Sequence, residues 1–341
     1  MKNYFLLAVC ATLVYNYIGN AQNPADYAES ITSEELKTHL YIYASDAFEG
    51  RDTGTEGEQK AIHFLKDYYQ SIGVAGGNTN DAYFQNMVLT TRRGKTLNGT
   101  NVLAFIPGTD KEDEVLVITS HLDHIGVEPD GQINNGADDD GSGTVAMMEI
   151  AEAFQLAVEQ GEGPRRSILF LHVSGEERGL LGSKYYTDNP VYPLEDTVAN
   201  LNIDMIGRVD SLHLEQPDYL YLIGSDILSD DLHEISVEAN EKYVNLNLDF
   251  RYNDPTTLVW ERGRYRENRY YYRSDHYHFI KNNVPAIFYF NGTHPDYHTP
   301  NDTPDKIEYE LLKRRTKLIF HTAWAIANRE ERIELNENKE N

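Results

Sequence analysis

The chain has 341 residues, 40% of them hydrophobic, which is enough to fill the core of one large α/β domain or two ordinary ones. Its 55 acidic and 30 basic residues leave a net charge of −25, and that balance argues against nucleic acid or anionic membrane as a partner, since both would be repelled. The one cysteine, Cys10, lies inside a leader-like segment, MKNYFLLAVCATLVYNYIGNA, so chemistry in the remainder must use oxygen and nitrogen groups. That segment has Lys2, a short apolar centre and the small residue Ala21, which predicts a signal peptide over residues 1–21, a secreted or periplasmic mature chain over 22–341, and no membrane anchor.

No repeat or Pro/Gly/Ser linker divides the mature chain, and a single domain is expected. SEELKTHLYIYA and EGEQKAIHFLKDYYQSIG carry apolar residues at helical spacing and predict two surface helices. Then NVLAFIP, VLVITS, SILFLHVS, ANLNIDM, YLYLIG and AIFYF form short aliphatic or aromatic runs, with the helical stretch TVAMMEIAEAFQLAVEQ among them. That alternation predicts an α/β fold in which a mostly parallel, mixed central sheet carries helices on both faces. The closing segment, KIEYELLKRRTKLIFHTAWAIANREE, reads as one long helix.

Polar candidates fall at the ends of these strands. His121 follows VLVITS, Glu176 and Glu177 follow SILFLHVS, Asp204 ends ANLNID, and His298 lies beyond AIFYF. The C-terminal edge of an open α/β sheet is where ligands bind. In SHLDHIG, His121 and Asp123 are two apart on one side of an extended chain, where a carboxylate can orient a metal-binding imidazole; His124 is expected to be a wall or surface residue. Adjacent glutamates allow one to bind metal while the other acts as general base, although an acidic helix start explains them too. Asp204 is a lone carboxylate in an apolar run and needs a partner, either a metal or Arg208. In NNGADDDGSG, the spacing excludes a helix-loop-helix calcium site, and no GxSxG nucleophile elbow occurs.

Taken together, HLD at 121–123, GADDDGSG at 136–143, SGEERGLLGS at 174–183, NIDMIG at 202–207, SDH at 274–276 and YHTPNDT at 297–303 resemble the M28 zinc aminopeptidases, as does the upstream FEGRDTGTEGEQKA. The resemblance implies two zinc ions per chain, one held by His121, Asp139 and Asp204 and the other by Asp139, Glu177 and His298, with a shared hydroxide. It implies Asp123 as the supporting aspartate, Glu176 as general base and, by count before SDH, Tyr271 as a donor to the oxyanion, with Tyr272 beside it. It also implies peptide substrates with a free amino terminus. A glutaminyl cyclase-like enzyme with one zinc, or a non-catalytic peptide-binding relative, is the alternative. Strand-like alternation turns Asp139 away from Asp138 and Asp140, so that Asp140 caps the following helix while Asp138 lines the loop or meets solvent. The aromatic and basic stretch RYNDPTTLVWERGRYRENRYYYR is expected to shape the substrate pocket.

Overall fold

A computed structural model describes residues 23–261 and 264–337 of the chain. The signal-peptide reading of residues 1–21 lies outside the described residues. The helices are α1 (Pro24–Ala28), α2 (Ser33–Tyr43), α3 (Glu56–Ser71), α4 (Gly143–Glu159), α5 (Leu181–Asp188), α6 (Asp230–Ala239), α7 (His276–Ile280) and α8 (Tyr309–Asn328). Threonine side chains begin two of them: Thr32 accepts from the Glu35 amide and Thr55 from the Glu58 amide, each satisfying a donor that the first helical turn leaves free. The closing helix is shorter than its apolar pattern suggests. A 3₁₀ turn over Pro304–Lys306 precedes it, and it ends at Asn328.

One nine-stranded sheet organises the chain. Its strands are β1 (Ala75–Gly76), β2 (Phe84–Thr90), β3 (Thr96–Ile106), β4 (Lys111–His121), β5 (Arg166–Val173), β6 (Thr197–Ile203), β7 (Tyr219–Ile223), β8 (Asn247–Asp249) and β9 (Ala286–Phe290). The order is β1-β3-β5-β4-β6-β9-β7-β8, with β2 also paired to β3. The central four, β5-β4-β6-β9, are parallel, while β3 against β5 and β9 against β7 are antiparallel. The sheet is thus mixed, with its parallel part in the middle, where burial on both faces suits continuous aliphatic runs.

Strand alternation divides the core. Val102, Leu116, Ile118, Ile168 and Phe170 face one side, packed with α2, α3, α4 and α8. Leu103, Val115, Val117, Leu169 and Leu171 face the other, covered by Tyr186 of α5 and Phe279 of α7. Register then lines up the functional ends. Thr119 pairs with Asn202 and His121 with Val173, so His121, Asp204 and the turn that carries Glu176 emerge at one level of the same edge. Among the described residues no helix is long and apolar enough to cross a membrane.

Candidate active site

His121 is the last residue of β4 and is buried. Its Nδ1 lies 3.0 Å from the backbone carbonyl of Asp123 and 3.8 Å from the Asp123 carboxylate. The carbonyl therefore sets the tautomer, leaving Nε2 free as a donor atom. The Asp123 carboxylate has a different task from the one its spacing suggests: it accepts from Thr53 Oγ1 at 3.0 Å and from the Glu176 amide at 3.1 Å. It anchors the backbone of the proposed base.

The aspartate loop is fully buried. Asp139 turns one oxygen to His121 Nε2 at 3.1 Å and the other to His298 Nε2 at 3.0 Å. Asp204 approaches His121 Nε2 at 3.7 Å, and Glu177 lies 3.1 Å from His298 and 3.0 Å from His124 Nδ1. Two groups of potential ligands result, His121 with Asp139 and Asp204, and His124 with Asp139 and Glu177, and His298 closes on the second. His124 is thus no wall residue. The chain leaves strand geometry after His121, so the alternation that would have turned His124 away no longer applies.

His121 Nε2, both nitrogens of His124, Asp139 Oδ2 and Glu177 Oε1 are buried without a hydrogen-bond partner. His121 Nε2 lies 3.1 Å from Asp139 Oδ1, and His124 Nδ1 lies 3.8 Å from Asp139 Oδ2 and 3.0 Å from Glu177 Oε1, without hydrogen-bond geometry. Ligands each about 2.0–2.1 Å from a shared tetrahedral ion would stand roughly 3.3 Å apart. The donors present, imidazole and carboxylate without thiolate, suit catalytic zinc, and the residues fit such a group. Burial lowers the His121 pKa, but Asp139 and Asp204 outweigh it and hold the ring well above its usual range. Burial likewise opposes the charged form of His298, yet Asp139 and Glu177 raise it to about 10. The same negative charge would stabilise a divalent cation in the proton's place.

The other two aspartates hold this loop in position. Asp140 accepts from the amides of Gly143, His121 and Met205, so it caps α4 and ties β4 to the turn after β6. Asp138, expected to line the loop or meet solvent, is completely buried: it accepts from Ser142 Oγ, the Gly207 amide and Asn291 Nδ2, and pairs with His294 at 3.2 Å. Asp138 and Asp140 both clamp residues 205–207, but from an irregular helical turn over Ala137–Ser142 rather than from the extended segment that alternation assumes. Asp302, a residue the motif reading left without a role, accepts from the amides of Asp138 and Asp139. Gly136, at φ +55°, is required here because a methyl group would strike the Asp139 carbonyl and the His124 ring.

Asp204 is oriented by Ser274 Oγ at 2.6 Å, which explains the serine of the SDH motif. Arg208, its rival partner, instead pairs with Asp296 at 2.9 Å. Tyr271 departs from expectation. Its ring packs on Tyr272, Tyr277 and His276, whereas Tyr270 and Tyr297 line the pocket with Asp139, Glu176 and Asp204. Residues 270–272 form one 3₁₀ turn, so three consecutive tyrosines point in three directions and counting back from SDH cannot select among them. Glu176 opens on this pocket, and burial pushes its carboxyl well above the usual range.

The model of Peptidase family M28 matches residues 101–323, which carry every one of these side chains except Thr53. The chain belongs to peptidase family M28. A protein of Trichophyton verrucosum (strain HKI 0517) named as a probable leucine aminopeptidase is 24% identical over 323 residues, covering 92% of this chain and 79% of its own. The LapA aminopeptidase of Legionella pneumophila superposes with a TM-score of 0.68 at 22% identity, over 90% of this chain and 75% of that one. A glutaminyl cyclase of Bacteroides thetaiotaomicron shares the fold as well, with a TM-score of 0.64 at 17% identity over 86% of this chain and 98% of its own.

Proposed function

We propose that this M28 peptidase is a two-zinc aminopeptidase that removes residues from the free amino end of peptides. The observation that carries the reading is Asp139, whose two oxygens face separate histidines, His121 and His298, at 3.1 and 3.0 Å. One site would be held by His121, Asp139 and Asp204, the other by Asp139, Glu177, His298 and His124. Bound zinc would polarise the scissile carbonyl and make water a better nucleophile near neutral pH.

The remaining work belongs to the chain. Glu176 takes the proton of the attacking water and delivers it to the departing amine, a dual role for which a carboxyl raised by burial is suited. Asp123 holds the Glu176 backbone in register through the 3.1 Å amide contact. Tyr270 and Tyr297 line the same pocket and are better positioned than Tyr271 to donate to a developing oxyanion. The pocket's cavity is only about 30 Å³, and Met205, Phe288 and Phe290 give it an apolar wall beside Glu176.

The glutaminyl cyclase-like alternative requires one zinc, and two donor groups sharing Asp139 favour the peptidase. The test is mass spectrometry of a defined peptide with a free or an acetylated amino end. Sequential loss of amino-terminal residues from the free peptide alone is expected; conversion of an amino-terminal glutamine to a pyroglutamyl residue on the intact peptide, with loss of ammonia and no peptide-bond cleavage, would support the cyclase instead.

A further inference from the structure

The chain carries 30 basic and 55 acidic residues, yet the surface beside its reaction centre has the opposite sign. A cavity of about 790 Å³ adjoins the small central pocket, with Tyr270 and Arg273 lining both. Its wall holds six lysines or arginines against one carboxylate, Glu267. A second cavity of about 520 Å³ meets the first at Arg92 and Gly179 and reaches the site at Glu177; four lysines or arginines line it, and Glu177 is its one acid.

Four of these cations, Arg92, Arg93, Lys95 and Arg269, pair with no carboxylate among the described residues. In a chain with so large an acid excess, partners were available elsewhere on the surface. Arg273, at the junction with the central pocket, donates to Tyr297 Oη at 3.1 Å and lies over the Tyr270 ring, so its guanidinium is held facing the cleft by neutral groups. The band comes from segments far apart in the chain: the β2–β3 turn, the start of α5 and the aromatic, basic stretch before SDH.

We infer that these two grooves receive the part of the peptide beyond the scissile bond and select substrates that carry carboxylates there. The inference rests on the aminopeptidase reading. With the terminal residue at the reaction centre, the two larger basic cavities, which meet the site at Tyr270, Arg273 and Glu177, offer room for the rest of the chain. Several like charges around a groove sum into a field that attracts anions and repels cations, even where each pair alone is weak. The carboxylate has two possible sources, acidic side chains at the second and third positions or the terminal carboxylate of a very short peptide.

The experiment measures kcat/KM on Leu-Asp-Asp-Gly-amide, Leu-Gly-Gly-Gly-amide and Leu-Lys-Lys-Gly-amide, and on Leu-Gly-Gly with a free or amidated carboxyl end. Expected is a preference on the order of tenfold for the aspartate over the lysine peptide at low salt, equivalent to about 1.4 kcal/mol. It should shrink as salt rises from about 0.01 M to about 1 M, which shortens the screening length from about 30 Å to about 3 Å. The double variant Arg92→Glu with Arg269→Glu should abolish or invert the preference. If that variant does not fold, the salt series on the native enzyme decides. A preference confined to the free-acid Leu-Gly-Gly would assign the grooves to the terminal carboxylate. Equal rates on the aspartate, glycine and lysine peptides, with no effect of amidation, overturn the inference while leaving the aminopeptidase intact. Hydrolysis of none of them by the zinc-loaded enzyme overturns both.

Discussion

His124 Nδ1 stands 3.0 Å from Glu177 Oε1, inside the group that also contains Asp139. Neither nitrogen of the ring has a hydrogen-bond partner although the side chain is fully buried, and such an imidazole normally has one or binds a metal. With His298 this gives the second site two histidines and two carboxylates, against one histidine and two carboxylates at the first. The expected consequence is unequal affinity. After dialysis against a weak chelator, elemental analysis should find about two zinc ions in the native chain and about one in His124→Ala, in line with a bridged pair. Two ions retained in the variant would remove His124 from the ligand set.

Glu176 lines the central pocket and belongs to neither donor group. Glu176→Gln should therefore keep its full zinc content while turnover falls by about 10²–10⁴, the usual contribution of a positioned general base. Paired measurements of zinc and kcat separate this from Glu177→Gln, for which both should fall. A Glu176→Gln enzyme with nearly native kcat would require another base.

The sequence made the edge of the sheet legible because each strand is a largely apolar run followed by a charged or imidazole side chain: the placement of His121, Glu176 and Asp204 needed only that pattern. Assuming strand alternation singles out Asp139 from its neighbours, yet Ala137–Ser142 fold into an irregular helical turn in which that period does not apply. The same argument failed for burial, since Asp138 satisfies the amide of Gly207 and the ring of His294, both far away in the chain. Periodicity carries no information about such pairings. His124 and Tyr271 failed for a related reason: each lies just outside a regular element, in a loop after β4 and in a 3₁₀ turn, where no fixed period assigns direction. The edge hairpin of β2 and β3 was also unread before Asn101, because its residues face water alternately and lack an apolar run.

Asp302 offers a test of how the ligand loop is held. It lies just beyond His298 in the chain and accepts from the amides of Asp138 and Asp139, joining the loop of the second histidine to that of the bridging carboxylate. Asp302→Ala leaves two buried amides without that acceptor, a cost of roughly 1–3 kcal/mol in stability. Because the backbone it releases carries Asp139, zinc affinity should also fall, by about 10–100-fold, as for other residues that orient a ligand. Calorimetric zinc titration and urea denaturation measure the two effects. A variant that loses stability yet binds zinc as the native chain does would restrict Asp302 to folding.

Glu149 makes stability depend on pH at a distance from the chemistry. It is buried on α4, and desolvation, reinforced by the nearby charges of Glu35 and Glu152, raises its pKa to about 9. His39 lies 3.6 Å away, but burial lowers that ring's own pKa, so it supplies no compensating charge at neutral pH. The folded state therefore holds the Glu149 proton more tightly than the unfolded chain, where the usual value of 4.5 applies. Below that value both states are protonated and the residue has no effect on the balance. As pH rises from there towards 9, the unfolded chain ionises first, and stability declines by up to about 1.4 kcal/mol per pH unit from this group. Glu149→Gln removes the titration, so its urea midpoint should be close to native at pH 5 and clearly above it at pH 8. Midpoints that differ by the same amount at both pH values would mean that the native carboxyl is already ionised.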